Sequence, residues 1–348
     1  MMIAAAGTGG HIYPGLAIAQ YFYKNKYQVS WIGTAEGMEN QLVDKELINF
    51  YTIPMRGVRG KGIFGWIKLP LRLMIAIYKS LSILRNENPS SLVLMGGYIC
   101  FPIAIAAKLM RIKTVIHEQN AVAGLSNKLL STIVSKTFLG FKNNIKTGTV
   151  IGNPVRENLY KIPGVIDRFK DRTGALRILV IGGSLGARVF NEVLPEIFSL
   201  VNNNKAIDII HQSGALNYEK LSKNYEKYNL KVKAKKYIED MGAHLSWADI
   251  VIARSGALTV SEFLELGVAS ILIPYPHAVD NHQLLNANVL KNKSAAKIIL
   301  EKNVKQELAN VILAIDRREC IRMANNAKTK ARQQACKRIY EYLIADEK

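Results

Sequence analysis

Two stretches of this chain repeat one local plan, in which a short apolar strand leads through a glycine-rich loop into a helix. The first copy has the loop Gly7-Thr8-Gly9-Gly10-His11, followed by a helix predicted over Pro14–Lys24. The second copy has the strand Arg177–Ile181 and the loop Gly182–Ala187. Units of this kind build parallel sheets with helices on both faces, so the pattern predicts an α/β fold.

Further short apolar runs follow each copy and alternate with amphipathic segments. They predict strands near 28–33, 92–95, 113–117, 136–139, 207–211, 231–234, 249–253 and 270–273. Each half therefore reads as a doubly wound, Rossmann-like domain, and 348 residues suit two such domains. Glycine, asparagine and proline at 152–154 mark the boundary. The predicted domains are 1–156 and 157–327, with a C-terminal helix in 328–348 that either completes the second domain or packs back on the first.

The charge of the chain is large and uneven. The net charge is +20, and residues 1–156 hold 18 Lys and Arg against 6 Asp and Glu. Such a field attracts nucleic acid, anionic membranes or phosphorylated substrates. The three cysteines are far apart in sequence, which predicts neither a disulfide framework nor a metal cluster and favours a reducing cytosol.

The first glycine loop precedes a helix, where backbone N–H groups and the helix dipole favour a phosphate. A dinucleotide fingerprint requires a small residue at the position of Ile12, which weakens an NAD-binding interpretation. A tight turn without a ligand remains the structural alternative. His11 lies at the junction of loop and helix, where an imidazole is suited to act as a general base.

The second loop, Gly182-Gly183-Ser184-Leu185-Gly186, matches the nucleophile elbow of serine hydrolases in its spacing. An elbow needs a later acid and a histidine, and no spacing in the chain points to such a pair. A second phosphate-binding loop is the simpler interpretation, with the hydrolase kept as an alternative.

Polar residues follow several other predicted strands. Glu262 lies within the helix expected after Ser255-Gly256, where a carboxylate can accept hydrogen bonds from two ribose hydroxyls, although a solvated helix glutamate looks the same in sequence. Gln283 belongs to a cluster of amides and imidazoles that suits sugar hydroxyls. The chain contains neither H-E-x-x-H nor D-x-D, so no dedicated metal site is expected.

A basic amphipathic segment spans residues 64–85. It has an apolar stripe with Lys68, Arg72 and Lys79 on another side, and Phe64 and Trp66 lead into it. Such a helix suits the headgroup layer of an anionic bilayer. A core helix with snorkelling cations is the alternative.

Seven stretches, taken together and in order, resemble one family, the MurG glycosyltransferases of peptidoglycan synthesis. They are GTGGHIYPGLAIA from Gly7, GGY from Gly96, HEQNAVAGLSNK from His117, GNPVR from Gly152, GGSLGAR from Gly182, RSGALTVSE from Arg254 and PHAVDNHQLLNA from Pro276. The resemblance implies a GT-B fold, in which two Rossmann-like domains face a central cleft. It also implies an inverting transfer of N-acetylglucosamine to lipid I, giving lipid II, with no cofactor. Ala6 departs from the family pattern, since many members carry glycine there.

Site residues follow from the same resemblance. UDP-N-acetylglucosamine is expected in the second domain, with the backbone of Ile238 at the uracil and Glu262 at the ribose. Asn120 and Gln283 are expected at the sugar, and the loop Thr8-Gly9-Gly10 against the donor and the acceptor diphosphate. The groups expected along the diphosphate and uridine are Arg156, Ser184, Ala257, Leu258, Thr259, Val260 and Ser261.

The family also implies a peripheral position on the cytoplasmic face of the bacterial inner membrane and no nucleic-acid partner. Two other functions stay open at this point. One is a related GT-B transferase that acts on another lipid, such as a diacylglycerol. The other is a non-catalytic protein that binds anionic lipid, which the basic first half permits.

Overall fold

The computed structural model describes residues 1–55, 69–183, 185–328 and 334–345. The chain divides into two compact units. The first domain is Met1–Arg156 together with Gln333–Lys348, and the second domain is Glu157–Arg332. The end of the chain therefore returns to the first domain.

In the described residues of the first domain, seven parallel strands form one sheet in the order β3-β2-β1-β4-β5-β6-β7. The strands are β1 Met2–Ala4, β2 Ser30–Gly33, β3 Asn49–Thr52, β4 Ser91–Leu94, β5 Lys113–Glu118, β6 Lys136–Leu139 and β7 Thr149–Val150. The helices are α1 Gly9–Lys24, α2 Glu39–Leu42, α3 Leu69–Glu87, α4 Cys100–Leu109, α5 Leu125–Leu130 and a C-terminal helix, Ala335–Ile344.

Alternate strand residues of this sheet enter two separate cores, because successive side chains of a strand point to opposite faces. Ile3 and Trp31 pack with α1 and the C-terminal helix. Met2 and Ile32 pack with α3 and α4 on the other face. Gly15 allows α1 to lie close to the sheet, since a Cβ there would come within 2.7 Å of the Trp31 ring.

In the second domain, the described residues form a six-stranded parallel sheet in the order β10-β9-β8-β11-β12-β13. The strands are β8 Leu176–Ile181, β9 Ile207–Gln212, β10 Val232–Lys235, β11 Ile250–Ala253, β12 Ser270–Leu272 and β13 Ala296–Ile298. The α-helices are α6 Val165–Phe169, α7 Arg188–Asn202, α8 Tyr218–Lys227, α9 Met241–Trp247, α10 Ala257–Leu266, α11 His282–Lys291, α12 Val304–Ala314 and α13 Arg317–Ala327. Short 3-10 helices cover Glu157–Lys161, Ala215–Asn217, Val279–Asn281 and Glu301–Asn303.

The strand order reverses once in each sheet, between β1 and β4 and between β8 and β11. In doubly wound sheets, ligands bind beyond the carboxyl ends of the strands at such a switch point. The loops that leave these four strands contain Gly7–Gly10, Gly96–Gly97, Gly182–Gly186 and Ser255–Gly256. The topology therefore predicts a ligand site at the glycine loops of each domain.

The prediction of two parallel-sheet α/β domains is confirmed, with differences in detail. The strands β3, β7 and β13 were not predicted, since they are short and lie toward the sheet edges. Helix α1 begins at Gly9 rather than Pro14, so this proline lies inside the helix, where it removes one backbone hydrogen bond. None of the described helices combines the length and the apolar character that crossing a bilayer requires.

Candidate active site

The buried carboxylate of Glu39 accepts a hydrogen bond from the first glycine loop. The Gly7 N–H donates to Glu39 Oε2 at 3.3 Å, and the Thr34 N–H donates to Oε1 at 2.8 Å. Gly7 has a φ of +98°, a backbone conformation that favours glycine. Because Glu39 takes the Gly7 amide, the groups available to a ligand are the first-turn amides of α1 at Gly9 and Gly10, which have no intrahelical acceptor.

His11 lies in this first turn, next to the loop that follows β4. A Cβ added to Gly97 would come within 3.8 Å of the imidazole Nδ1. Gly96 and Gly97 have φ of +96° and +87°, so the loop that follows β4 also depends on glycine. The structure thus brings the predicted base together with the Gly96-Gly97-Tyr98 motif at the switch point.

Glu118 organises the loop after β5. Its buried carboxylate accepts from the Asn120 N–H at 2.9 Å, from Asn120 Nδ2 at 3.1 Å and from Asn127 Nδ2 at 2.7 Å. Burial raises the pKa of Glu118, and these hydrogen bonds oppose that rise. Asn127 in turn lies under Gly96, where a Cβ would come within 2.8 Å of its amide. Asn120 is therefore fixed at the half-exposed rim of the site.

The other residues of the His117–Asn120 motif are buried and hold the framework. His117 Nε2 is hydrogen-bonded to the Gly152 oxygen at 2.9 Å, and burial lowers the pKa of His117 to about 4. Gln119 Nε2 donates to the Met95 oxygen at 3.0 Å. These contacts join β5 to β4 and to the segment that leaves the domain, so Asn120 alone of the four reaches the rim.

In the second domain, two loops pack backbone against backbone. A Cβ on Gly186 would come within 1.9 Å of the Ser213 oxygen, and one on Gly214 within 2.0 Å of the Leu185 oxygen. Gly186 and Gly214 have φ of +75° and +79°. The second glycine loop therefore rests directly on the loop that follows β9. Ser184, which the sequence places in this loop, lies outside the described residues.

One side chain links this loop to the predicted uracil site. Gln212 Nε2 donates to the Gly183 oxygen at 2.8 Å, and its Oε1 accepts from the Ile238 N–H at 2.9 Å. Because the Ile238 N–H is committed to Gln212, the backbone group that Ile238 can offer to a base is its carbonyl oxygen.

The segment from Ala257, expected along the donor, is the beginning of helix α10, in agreement with the helix predicted after Ser255-Gly256. The Val260 N–H makes an early helical bond to the Gly256 oxygen at 3.0 Å, so the amides of residues 257–259 lack intrahelical acceptors. The side chains of Ala257, Val260 and Ser261 are buried, and Ser261 Oγ donates back to the Ala257 oxygen at 2.9 Å. Contact with a ligand is thus left to the first-turn amides and to the half-buried side chains of Leu258, Thr259 and Glu262.

Gln283 lies over this helix start with a fixed orientation. Its Oε1 accepts from the Ser255 N–H at 3.3 Å and from the Tyr275 N–H at 2.9 Å. The Ser255 hydroxyl donates to the Gln283 backbone oxygen at 2.8 Å. Because the side-chain oxygen Oε1 accepts from backbone N–H groups, the side chain of Gln283 presents its Nε2 N–H donors to a ligand.

Both domains of this chain match known protein families. The glycosyltransferase family 28 N-terminal domain matches residues 1–139, and the C-terminal domain of the same family matches residues 177–339. A relative from Dechloromonas aromatica is 39% identical over 339 residues, covering 97% of this chain and 96% of its own. Its name is UDP-N-acetylglucosamine–N-acetylmuramyl-(pentapeptide) pyrophosphoryl-undecaprenol N-acetylglucosamine transferase. This chain belongs to the MurG family.

Further matches agree with the family. A Haemophilus influenzae relative of the same name is 39% identical over 344 residues, covering 99% of this chain and 97% of its own. The crystal structure of Acinetobacter baumannii MurG has a TM-score of 0.85 and 34% identity, with 99% of each chain covered. A UDP-GlcNAc 2-epimerase from Neisseria meningitidis, at 13% identity and a TM-score of 0.64, covers 99% of each chain and shares the fold. Membership of the MurG family makes the transferase interpretation stronger than the hydrolase based on Ser184.

Of the arginines in the stretches that resemble the MurG family, only Arg156 was predicted at the site. Arg156 is half-buried in the segment that ends the first domain. Arg254, within the RSGALTVSE stretch, donates to the Ile273 oxygen at 3.0 Å and pairs with Glu301. It therefore connects the segments that follow β11, β12 and β13. Within the described residues, no three His, Cys, Asp or Glu side chains are grouped to hold a metal.

Sequence reasoning missed the buried polar residues that shape the loops. Glu39 gave no signal, because it lies in a polar stretch without a motif. Gln212 is the last residue of β9, and a polar side chain at the carboxyl end of an apolar strand was a usable signal.

Proposed function

We propose that this chain transfers N-acetylglucosamine from UDP-N-acetylglucosamine to the N-acetylmuramyl-pentapeptide of lipid I, with inversion at the anomeric carbon. The product is lipid II, the lipid-linked precursor of peptidoglycan. The observation that carries this proposal is 39% identity over 97% of the chain to a relative named for that reaction.

The second domain holds the donor in this proposal. The Ile238 carbonyl accepts from the uracil N–H, since its own N–H is bonded to Gln212. Glu262 accepts from the ribose hydroxyls. The uncapped amides at the start of α10, with Ser184 and Arg156, stabilise the diphosphate. Gln283, whose carbonyl oxygen faces Ser255 and Tyr275, donates an N–H to a sugar hydroxyl, and Asn120 is the second sugar contact.

The first domain holds the acceptor and the base. The first-turn amides of Gly9 and Gly10, with Thr8, bind the acceptor diphosphate. The acceptor hydroxyl attacks the anomeric carbon from the face opposite UDP, and a new C–O bond forms as the bond to the diphosphate oxygen breaks. The departing UDP takes the electron pair, and His11 takes the hydroxyl proton. Attack from the opposite face converts an α-linked donor into a β-linked product.

The lipid tail of the acceptor requires a membrane surface, and α3 supports one. Leu71, Met74 and Tyr78 of this helix are 63%, 67% and 77% exposed, although a core helix would bury them. Arg72 and Lys79 flank them along the helix, and residues 64–68 of the predicted segment lie outside the described residues. An exposed apolar stripe with neighbouring cations suits an anionic bilayer. We therefore propose a peripheral position on the cytoplasmic face of a bacterial inner membrane.

Donor and acceptor competition tests the proposal. With lipid I present, the purified chain should use UDP-N-acetylglucosamine in strong preference to UDP-glucose and UDP-N-acetylgalactosamine. Replacement of lipid I by a diacylglycerol should abolish transfer. Equal or better transfer to diacylglycerol would identify a different lipid glycosyltransferase, and failure to bind any UDP-sugar would leave the non-catalytic lipid-binding alternative.

A further inference from the structure

The side chain of Glu39 connects the loops that follow two neighbouring strands of the first domain. Strands β1 and β2 are paired in parallel, with Ala4 opposite Ile32, so their carboxyl ends lie side by side. Glu39 Oε2 accepts from the Gly7 N–H in the loop after β1, at 3.3 Å. Its Oε1 accepts from the N–H and the hydroxyl of Thr34, directly after β2, at 2.8 Å and 2.7 Å. One carboxylate thus fixes the first glycine loop to its neighbour.

The surroundings of Glu39 leave room for this side chain and for little else. Glu39 is fully buried. A Cβ on Gly33 would come within 2.7 Å of Glu39 Cγ, and one on Gly37 would come within 2.2 Å of Oε1. Burying a carboxylate costs free energy that its hydrogen bonds must offset, whereas an apolar side chain would fill the space without this cost. We therefore look for the role of Glu39 in what it orients.

The position of Gly7 controls how helix α1 begins. Thr8 precedes the helix, and its backbone oxygen accepts from the His11 N–H at 3.0 Å. Within the described first turn, the Thr8 side chain makes no capping hydrogen bond, so the amides of Gly9 and Gly10 stay available to a ligand. Because Gly7 directly precedes Thr8, a rotation of its peptide would reorient these amides and the His11 ring together.

We propose that Glu39 is a positioning residue for the transfer, which orients the first turn of α1 toward the acceptor. This inference rests on the proposed function, in which the amides of that turn bind the acceptor diphosphate and His11 takes the hydroxyl proton. Glu39 acts through Gly7 and does not contact the substrate, because it is fully buried. A loop that is held in its binding conformation before the acceptor arrives loses less conformational entropy on binding and places the base correctly.

Glu39→Gln tests this role because it separates the two ends of the side chain. A glutamine has one acceptor oxygen. Thr34 offers two donors and Gly7 only one, so the oxygen stays with Thr34 and the new NH₂ group faces the Gly7 N–H. The loss of this hydrogen bond should lower kcat/KM for lipid I by about tenfold, through a higher KM and a lower kcat. The affinity for UDP, measured by calorimetry, should not change, because the proposed function assigns UDP to other loops.

Two further variants of the full chain complete the comparison. Thr34→Val is the matched control, since it removes the hydroxyl that donates to the other oxygen of the same carboxylate and leaves the Gly7 bond in place. Its kcat/KM for lipid I should stay close to the wild-type value. Gly7→Ala shifts the loop without touching Glu39, because Gly7 has a φ of +98° and a Cβ there would have nothing within 4 Å. It should reproduce the loss of kcat/KM even where Glu39→Gln does not fold.

The outcomes separate this role from the proposed function and from a general loss of structure. Absence of transfer by the wild type would contradict the proposed function itself. With an active wild type, equal kcat/KM in Glu39→Gln and Thr34→Val would overturn the role of Glu39. A parallel loss of UDP affinity in Glu39→Gln would overturn it as well, because the defect then extends beyond the first glycine loop.

Discussion

The side chain of Gln212 accepts a hydrogen bond from the backbone N–H of Ile238 at 2.9 Å. The same amide donates to the Gly183 oxygen at 2.8 Å, so one buried side chain sets the spacing of two loops that are assigned to the donor. This link makes Gln212 a positioning residue. Gln212→Ala should raise KM for UDP-N-acetylglucosamine by about tenfold, the effect of losing two buried hydrogen bonds, and change kcat less.

Two variants make this expectation specific. Gln212→Glu keeps an acceptor for Ile238 but places a carboxylate oxygen against the Gly183 oxygen, so it should also raise KM. Asn204→Ala removes an exposed amide bonded to the Leu200 oxygen at 3.1 Å and should leave both constants unchanged. A fall in kcat at constant KM in Gln212→Ala would contradict a positioning role.

His11 is assigned to proton removal, and its position in the first turn of α1 beside Gly97 permits this role. His11→Ala should lower kcat by roughly 10²- to 10⁴-fold, the usual range for general-base help. The affinity for UDP-N-acetylglucosamine, measured by calorimetry, should stay the same because His11 is not among the residues assigned to donor binding. His244→Ala serves as a control, since His244 lies on α9 and its ring is bonded to the backbone oxygen of Asp240. Unchanged turnover in His11→Ala would remove His11 as the base.

Gly186 and Gly174 form a natural comparison, because both have positive φ, at +75° and +76°. A Cβ on Gly186 would lie 1.9 Å from the Ser213 oxygen, whereas one on Gly174 would have nothing within 4 Å. Gly174→Ala should therefore cost only the backbone strain, roughly 1–2 kcal/mol. Gly186→Ala should lower the free energy of unfolding by about 2–3 kcal/mol more, because the loops that follow β8 and β9 must move apart. Chemical unfolding of the second domain measures both, and equal losses would contradict the close packing.

Two buried histidines should make both domains sensitive to acid. Burial lowers the pKa of His117 from 6.5 to about 4 and that of His211 from 6.5 to about 3. Below pH 6.5 the unfolded chain binds more protons than the folded one, so the free energy of unfolding falls as the pH falls toward 4. Each histidine contributes about 3 kcal/mol to this loss.

The measurement is the unfolding free energy at several pH values between 7.5 and 5. His211→Phe should weaken the dependence on pH, because the residue that takes up the proton on unfolding is gone. The lost bond to the Tyr225 hydroxyl, 2.8 Å in the wild type, lowers stability equally at every pH and does not change the slope. An identical slope in the variant would show that His211 is not responsible.

Sequence patterns located the framework because buried parallel strands are continuous apolar runs, such as Ile178–Ile181. They failed at β3, whose residues Asn49–Thr52 are partly exposed and not strongly apolar. Asn120 and Gln283 were assigned to the sugar by the resemblance to the MurG family, and each belongs to a polar stretch that comes after an apolar strand. Glu39 was not, since its role depends on a contact with Gly7 that is 32 residues away in sequence.

The apolar stripe of α3 gives the sharpest test of membrane attachment. Met74 and Tyr78 are 67% and 77% exposed, so their replacement by serine removes apolar surface without opening a cavity. Fully burying such a side chain is worth about 1.5–3 kcal/mol, so Met74→Ser/Tyr78→Ser should weaken sedimentation with phosphatidylglycerol vesicles by at least about tenfold. Leu216→Ser, at a 97% exposed position of the second domain, should leave vesicle binding unchanged. Equal binding by the two variants would mean that α3 does not face the lipid and that its exposed stripe has another partner.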